Sequence, residues 1–197
     1  MDATETTVIT ADDALRTRAI DVADRLFYTR GVQSVSMDEL RSETGISLKK
    51  MYALFPSKEQ IVLAVLARRH DIWTAGIADA ASRVSTPRDR LLAIYDFLAD
   101  WFTEDDFRGC GFINSFGELG ATVPAVAEAT RDQKASFQQY VAEVAAEAGA
   151  PAYLAPQLAI LAEGAQTTAA ISGVPDAAGQ ARAAAATLID AAMGSRA

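Results

Sequence analysis

Histidine and cysteine are almost missing from this chain: there is one of each, His70 and Cys110, in 197 residues. A single cysteine excludes an internal disulfide framework and a multi-cysteine zinc site. A single histidine with no sequence partner leaves little room for a Ser/His/Asp or paired-histidine metal design. No glycine-rich phosphate loop is present. Glu104, Asp105 and Asp106 form a carboxylate run of the kind that is usually solvated. These absences argue against an enzyme and call for no cofactor and no metal. No apolar run reaches the ~18 residues that mark a membrane-spanning helix. The first ten residues, with Asp2 and Glu5, lack a basic-then-apolar leader, so the expected location is the cytoplasm and no membrane contact is expected.

What the chain does contain is apolar mass and unevenly placed charge. Half of its residues are hydrophobic, ample for a core. The net charge of −8 is unfavourable for a nucleic-acid binder, but its distribution reverses the inference. Residues 11–70 hold ten Lys/Arg against eight Asp/Glu, whereas residues 71–197 hold eight against sixteen. A weakly basic head on an acidic body would be repelled by DNA except at the head.

The apolar spacing is helical throughout, with no convincing strand and no repeat. The reading is all-α, with about nine helices. A first helix starts near Ala11 to Asp13 and ends at Gly31 in a left-handed C′ position. Ser36 and Glu39 make a capping box for a short second helix, with Val35 and Leu40 as its staple. Ser47 caps a third helix that ends before Pro56. Ser57 and Gln60 start a long fourth helix running to about Val84. Pro87 suits the first turn of the fifth helix. Gly109-Cys110-Gly111 precedes a short sixth helix, and Pro124 opens the seventh. Pro151 or Pro156 opens the eighth, and Gly173-Val174-Pro175 separates it from the ninth. The expected organisation is a flexible tail at 1–10, a helix-turn-helix domain at 11–56, and a ligand-binding and dimerisation domain at 57–197.

The densest signal is Gly45-Ile46-Ser47-Leu48-Lys49-Lys50-Met51-Tyr52-Ala53-Leu54-Phe55-Pro56-Ser57-Lys58-Glu59. Two lysines and a tyrosine share one short helix, and a third lysine opens the next. Such a layout can set a helix in a major groove and grip the backbone beside it. Over residues 14–65 the series Phe27…Gly31, the capped second helix, Gly45-Ile46-Ser47 and Tyr52-x-x-Phe55-x-x-Lys58-Glu59 resembles the TetR family of bacterial transcriptional regulators. Arg108-Gly109-Cys110-Gly111-Phe112-Ile113-Asn114 is similar to a segment of some members.

The resemblance implies an all-helical homodimer with three DNA-binding helices and a six-helix regulatory body. Ser47, Leu48, Lys49 and Lys50 would open the recognition helix. Tyr52 would touch a phosphate, Lys58 would cap the fourth helix against the DNA backbone, and Ser36 would offer a hydroxyl and helix N–H groups. Lys49, Ala53, Leu54 and Arg41 depart from the family's usual residues, so no relative's operator is transferable.

The implied function is a repressor released from a palindromic double-stranded DNA operator by a small, mostly apolar effector, neutral or cationic. The alternative is a helical ligand-binding or interaction module of the same fold without operator binding. Candidate ligand residues are Trp73, Phe97, Trp101, Phe112, Phe116 and Phe137, all of which also suit a core. Candidate dimer residues are Leu158, Leu161, Leu188 and Ile189, beside small residues such as Ala162 and Ala185 that permit close helix approach. Arg68-Arg69-His70 reads as a solvated cluster, and Cys110 as a structural small residue.

Overall fold

The computed structural model describes residues 10–194; the expected tail at 1–10, except Thr10, lies outside the described residues. The described chain is all-α, with helices α1 (Ala11–Arg30), α2 (Met37–Thr44), α3 (Leu48–Leu54), α4 (Lys58–Ser82), α5 (Pro87–Phe102), α6 (Gly111–Leu119), α7 (Pro124–Glu147), α8 (Leu154–Ser172) and α9 (Ala177–Gly194). It divides into two compact units, one ending at Ala67 and one beginning at Arg68. The first ten residues of α4 therefore belong with the head, eleven residues beyond the boundary at 56 that the turn signals suggest.

Local caps set most of the boundaries. Thr10 is itself a cap. Its hydroxyl accepts from the Asp13 backbone N–H, and the Asp13 carboxylate accepts from the Thr10 backbone N–H at 3.1 Å, completing a capping box. The Thr10 hydroxyl, which also donates to the Asp13 carboxylate at 2.7 Å, and the Thr10 N–H hold the Asp13 carboxyl below the usual carboxylate range. Ser36 and Ser47 cap α2 and α3 as expected, and Thr86 caps α5 with Pro87 in its first turn. The reciprocal half of the Ser36 box does not form. The Glu39 carboxylate pairs with Arg30 at the end of α1 instead, because the longer-range cation outcompetes a backbone N–H. Gly31 has φ 83° but ψ 150°, so it supplies the positive φ without the left-handed helical conformation expected of it. Neither Pro151 nor Pro156 takes the first position of α8. The helix starts at Leu154, and Pro156 sits inside its first turn, where a missing N–H breaks no helical bond.

In the head, α1, α2 and α3 pack around Leu26, Phe27, Leu40, Ile46, Met51, Leu54 and Phe55, with Ile61, Val62, Val65 and Leu66 from the start of α4 also buried. In the second unit α5, α7, α8 and α9 form the main bundle, and α6 lies on α7. Its core combines Leu91, Ile94, Leu98, Val141, Leu154, Leu158 and Ile189 with a series of alanines. Small residues allow these helices to approach closely, while the leucines supply the larger apolar area.

Candidate functional site

The turn between α2 and α3 is built by three adjacent residues. Thr44 is fully buried; its hydroxyl donates to the Leu40 carbonyl at 2.6 Å and accepts from the Ile46 N–H at 3.2 Å. Gly45 then turns the chain with φ 67° in the left-handed region, where a side chain would be strained. Ile46 anchors the turn in the core, so α3 is held against α1 and α2 as a rigid unit. Ser47 accepts from the Lys50 N–H at 3.3 Å and starts α3.

Helix α3 is amphipathic. Met51 and Leu54 face inward. Ser47, Lys49, Tyr52 and Ala53 are exposed, Tyr52 at 46% for an aromatic side chain, and Leu48 and Lys50 are half-buried. Ser36 is exposed at the start of α2. The head thus gathers Ser36, Ser47, Lys49 and Tyr52 on solvent-facing positions of two short helices.

The two other lysines behave differently. Lys50 Nζ lies 2.6 Å from the Asp12 carboxylate of α1, an exposed pair that bends this ammonium toward the protein's own first helix. Lys58 is directed inward. Its Nζ donates to the Val32 carbonyl at 2.6 Å and sits 5.8 Å from the centroid of the Phe27 ring. In the head this lysine fastens the loop after α1, since the carbonyls that follow a helix end attract a cation. Arg16, which the sequence did not single out, has the matching role at the other end. Its guanidinium donates to the Leu54 carbonyl at the end of α3 at 2.5 Å and lies over Phe55, 4.8 Å from the ring centroid. Its only sequence signal is its place on the outer face of α1.

In the second unit an aromatic cluster forms around Trp73. Phe97, Trp101 and Phe137 each meet it edge-on, with centroids 5.3, 5.6 and 5.7 Å away. Gly76 makes this possible: a Cβ there would lie 2.3 Å from Phe97. Beside the cluster is a cleft of about 230 Å³ between α4 and α7, lined by His70, Trp73, Thr74, Ile77, Ala78, Gln133, Ser136, Phe137 and Tyr140. Of the six expected ligand residues, Trp73 and Phe137 line this cleft, and Phe97 and Trp101 pack against Trp73. Phe112 is buried on α6, whose carbonyl faces Thr130 of α7, while Phe116 is 45% exposed on the same helix. Neither lines the cleft.

Cys110 is buried, and Lys134 donates to its sulfur at 3.4 Å while pairing with Glu163 at 2.7 Å. No residue near Cys110 in sequence announces that lysine; the packing of α6 on α7 brings it there.

The expected dimer residues divide in two. Leu158 and Ile189, expected at the dimer interface, are 1% and 0% exposed within a single protomer, where they belong to the core. Leu161 and Leu188 are partly buried against that core. The outward side of α8 carries Ile160 and Ile171, 68% and 83% exposed.

Residues 19–65 match the family described as bacterial regulatory proteins, tetR family. That interval is the packed head whose turn and exposed α3 face are described above. The head, over residues 19–65, is of the TetR type. The chain is also similar to the HTH-type transcriptional activator FasR of Mycolicibacterium smegmatis, 33% identical over 115 residues, which is 58% of this chain and 51% of FasR. The HTH-type transcriptional repressor ComR of Escherichia coli K12 is 28% identical over 134 residues, covering 65% of this chain and 64% of ComR. The chain thus spans about half the length of FasR and under two thirds of ComR. The solved structure of SCO4454, a TetR-family transcriptional regulator from Streptomyces coelicolor, superposes with a TM-score of 0.82 at 22% identity, covering 90% of this chain and 95% of that one. At that identity the likeness establishes the fold alone. Among the described residues no helix is long and apolar enough to cross a membrane.

Proposed function

We propose that this TetR-type chain is a ligand-responsive, DNA-binding transcriptional regulator: a homodimer that occupies a palindromic operator and is released by a small, mostly apolar molecule. The observation that carries the reading is the exposed face of α3, where Ser47, Lys49 and Tyr52 are presented by a turn locked through Thr44 and Gly45. Lys49 is exposed and forms no hydrogen bond or ion pair among the described residues, and Tyr52 exposes an aromatic hydroxyl suited to a phosphate. Ser36 adds a hydroxyl and the first N–H groups of α2.

Dimer formation is supported by the outer side of α8. Ile160 and Ile171 lie about three turns apart on one helix face, and a Cβ at the intervening Gly164 would meet nothing within 4 Å. Two such faces related by a two-fold axis would present two recognition helices to successive major grooves. The ligand cleft beside Trp73 supports regulation by a small molecule.

The pairing of Lys50 with Asp12 and the inward aim of Lys58 favour the second reading, an interaction module of the same fold without operator binding. Fluorescence anisotropy with the DNA upstream of its own gene separates the two. Salt-dependent, saturable binding that is lost in Lys49→Ala supports the regulator. No binding across a genomic fragment pool at low salt supports the module. A reporter on the same upstream region decides the sign: a rise on deletion of the gene means repression, and a fall means activation.

A further inference from the structure

The ligand cleft is not uniformly greasy. On α7, Gln133, Phe137 and Tyr140 recur at helical spacing and share one face; on α4, His70, Trp73 and Ile77 do the same opposite them. The aromatic and aliphatic members make apolar walls. The others bring three buried polar atoms with no protein partner: Gln133 Oε1, the Tyr140 hydroxyl and His70 Nδ1. Gln133 is 5% exposed, so its carbonyl oxygen is withheld from bulk water. Buried polar atoms in folded proteins are ordinarily paired, and three unpaired ones on residues that line one cleft mark a place where something else supplies the partners.

The size and charge of the cleft narrow the choice. A cavity of ~150 Å³ accommodates benzene, so about 230 Å³ takes one aromatic ring with a few substituent atoms and leaves no room to enclose a long acyl chain or a coenzyme A ester. The lining holds no Asp, Glu, Lys or Arg. The charges that reach Tyr140, Arg90 and Glu147, already pair with each other, so an anion or cation held there would find no free counter-charge, which is disfavoured. We propose that this cleft binds a small uncharged aromatic molecule carrying both a hydrogen-bond donor and an acceptor, in the class of phenols and aryl amides. Gln133 Oε1 accepts from its donor, the Tyr140 hydroxyl donates to its acceptor, and Trp73 and Phe137 flank the ring. The inference deepens the ligand-responsive reading and rests on it for the ligand's regulatory meaning.

The test is isothermal titration of the full chain without DNA, using benzamide and p-cresol against toluene, benzoate, benzyltrimethylammonium and hexanoyl-coenzyme A. Benzamide and p-cresol are expected to bind at least about tenfold more tightly than the other four, since each unmatched polar atom or charge is penalised. Gln133→Leu and Tyr140→Phe are each expected to weaken benzamide about five- to tenfold while leaving the weak affinity for toluene unchanged or improved. Tyr140→Phe removes one oxygen only, so it keeps the inference testable if Gln133→Leu fails to fold. Equal binding of toluene and benzamide overturns the inference, as does preference for an ion or the thioester, binding of benzamide unaltered in Tyr140→Phe, or no binding of any probe. The outcomes also separate from those of the regulator reading. A chain that binds operator DNA but none of the probes refutes the ligand class alone. A chain that binds benzamide with the expected selectivity but no DNA upholds the ligand class and refutes the regulator.

Discussion

Replacing Lys58 with methionine distinguishes a lysine that holds the head together from one that holds DNA. In the structure the ammonium donates to the Val32 carbonyl at 2.6 Å and stands 5.8 Å from the Phe27 ring centroid. A hydrogen bond to a charged donor contributes ~1.5 to 3 kcal/mol. The cation–ring contact adds ~0.5 kcal/mol at a partly exposed position. Two factors reduce the loss. Methionine keeps most of the apolar stem against Phe27, and the Val32 carbonyl retains the Val35 N–H at 3.3 Å. The expected net cost is about 2 kcal/mol. For a chain of this size that corresponds to a Tm lower by about 4 to 8 °C, read from the transition that involves the head.

The same variant in a DNA titration completes the argument. A lysine that neutralises a phosphate releases counterions, and its loss reduces the slope of log Kobs against log salt by ~0.9. A lysine buried in the loop does not. Lys58→Met is therefore expected to melt earlier yet keep the salt slope of the unaltered chain between ~50 and ~200 mM salt. Unchanged melting together with a slope reduced by about one would refute the structural assignment and restore Lys58 as a phosphate contact.

Three further outcomes are expected. Asp12→Asn frees the Lys50 ammonium from its 2.6 Å partner and removes a negative charge beside α3; operator affinity should rise about two- to fivefold at low salt, with stability changed by under ~1 kcal/mol, measured by anisotropy and urea melts. Ile160→Glu should convert a dimer into a folded monomer in analytical sedimentation, whereas Leu158→Glu, at 1% exposure, should prevent folding of the protomer because it buries an unpaired charge. Burial raises the Tyr95 phenol well above its ordinary pKa of 10.0, so the stability it supplies is complete below pH 10 and is lost as pH rises further; Tyr95→Phe should cost ~1 kcal/mol at neutral pH, from the lost bond to the Leu158 carbonyl, and flatten the alkaline limb of the melting curve.

The head was legible in the sequence because its determinants are local. Ser36 and Ser47 stand at helix starts where a side-chain oxygen meets an N–H a few residues on, and the structure uses both. Gly45 has to be a glycine for the turn itself, at φ 67°. The aim of a long charged side chain is a different matter. Lys58 and Val32 are separated by twenty-six residues, Arg16 and Leu54 by thirty-eight, and Lys134 and Glu163 by twenty-nine. A lysine between a recognition helix and a long helix reads as a DNA contact from spacing alone; only the packing of α1 shows that a backbone carbonyl also lies within its reach.

The body was less legible for a compositional reason, and the same reason says what its outer surface is for. Helices α8 and α9 are alanine-rich and apolar on nearly every side, so spacing cannot tell the face turned to the protomer core from any other. Leucine size pointed to Leu158 and Ile189 as contacts between protomers, but the largest apolar side chains fill the larger interior gaps, and Tyr95 bonds directly to the Leu158 carbonyl. A helix that is apolar all round needs cover all round. On α8, α5, α7 and α9 cover the side that holds Leu158, Ala162 and Ala169. The opposite side still presents Ile160 and Ile171 around a glycine with open space above it. Isoleucines this exposed, aligned on one helix face, gain ~1.5 to 3 kcal/mol each when fully buried. An identical α8 laid across them meets that demand with the same residues on both sides, which is why substitution at Ile160, and not at Leu158, is the variant that reads the assembly.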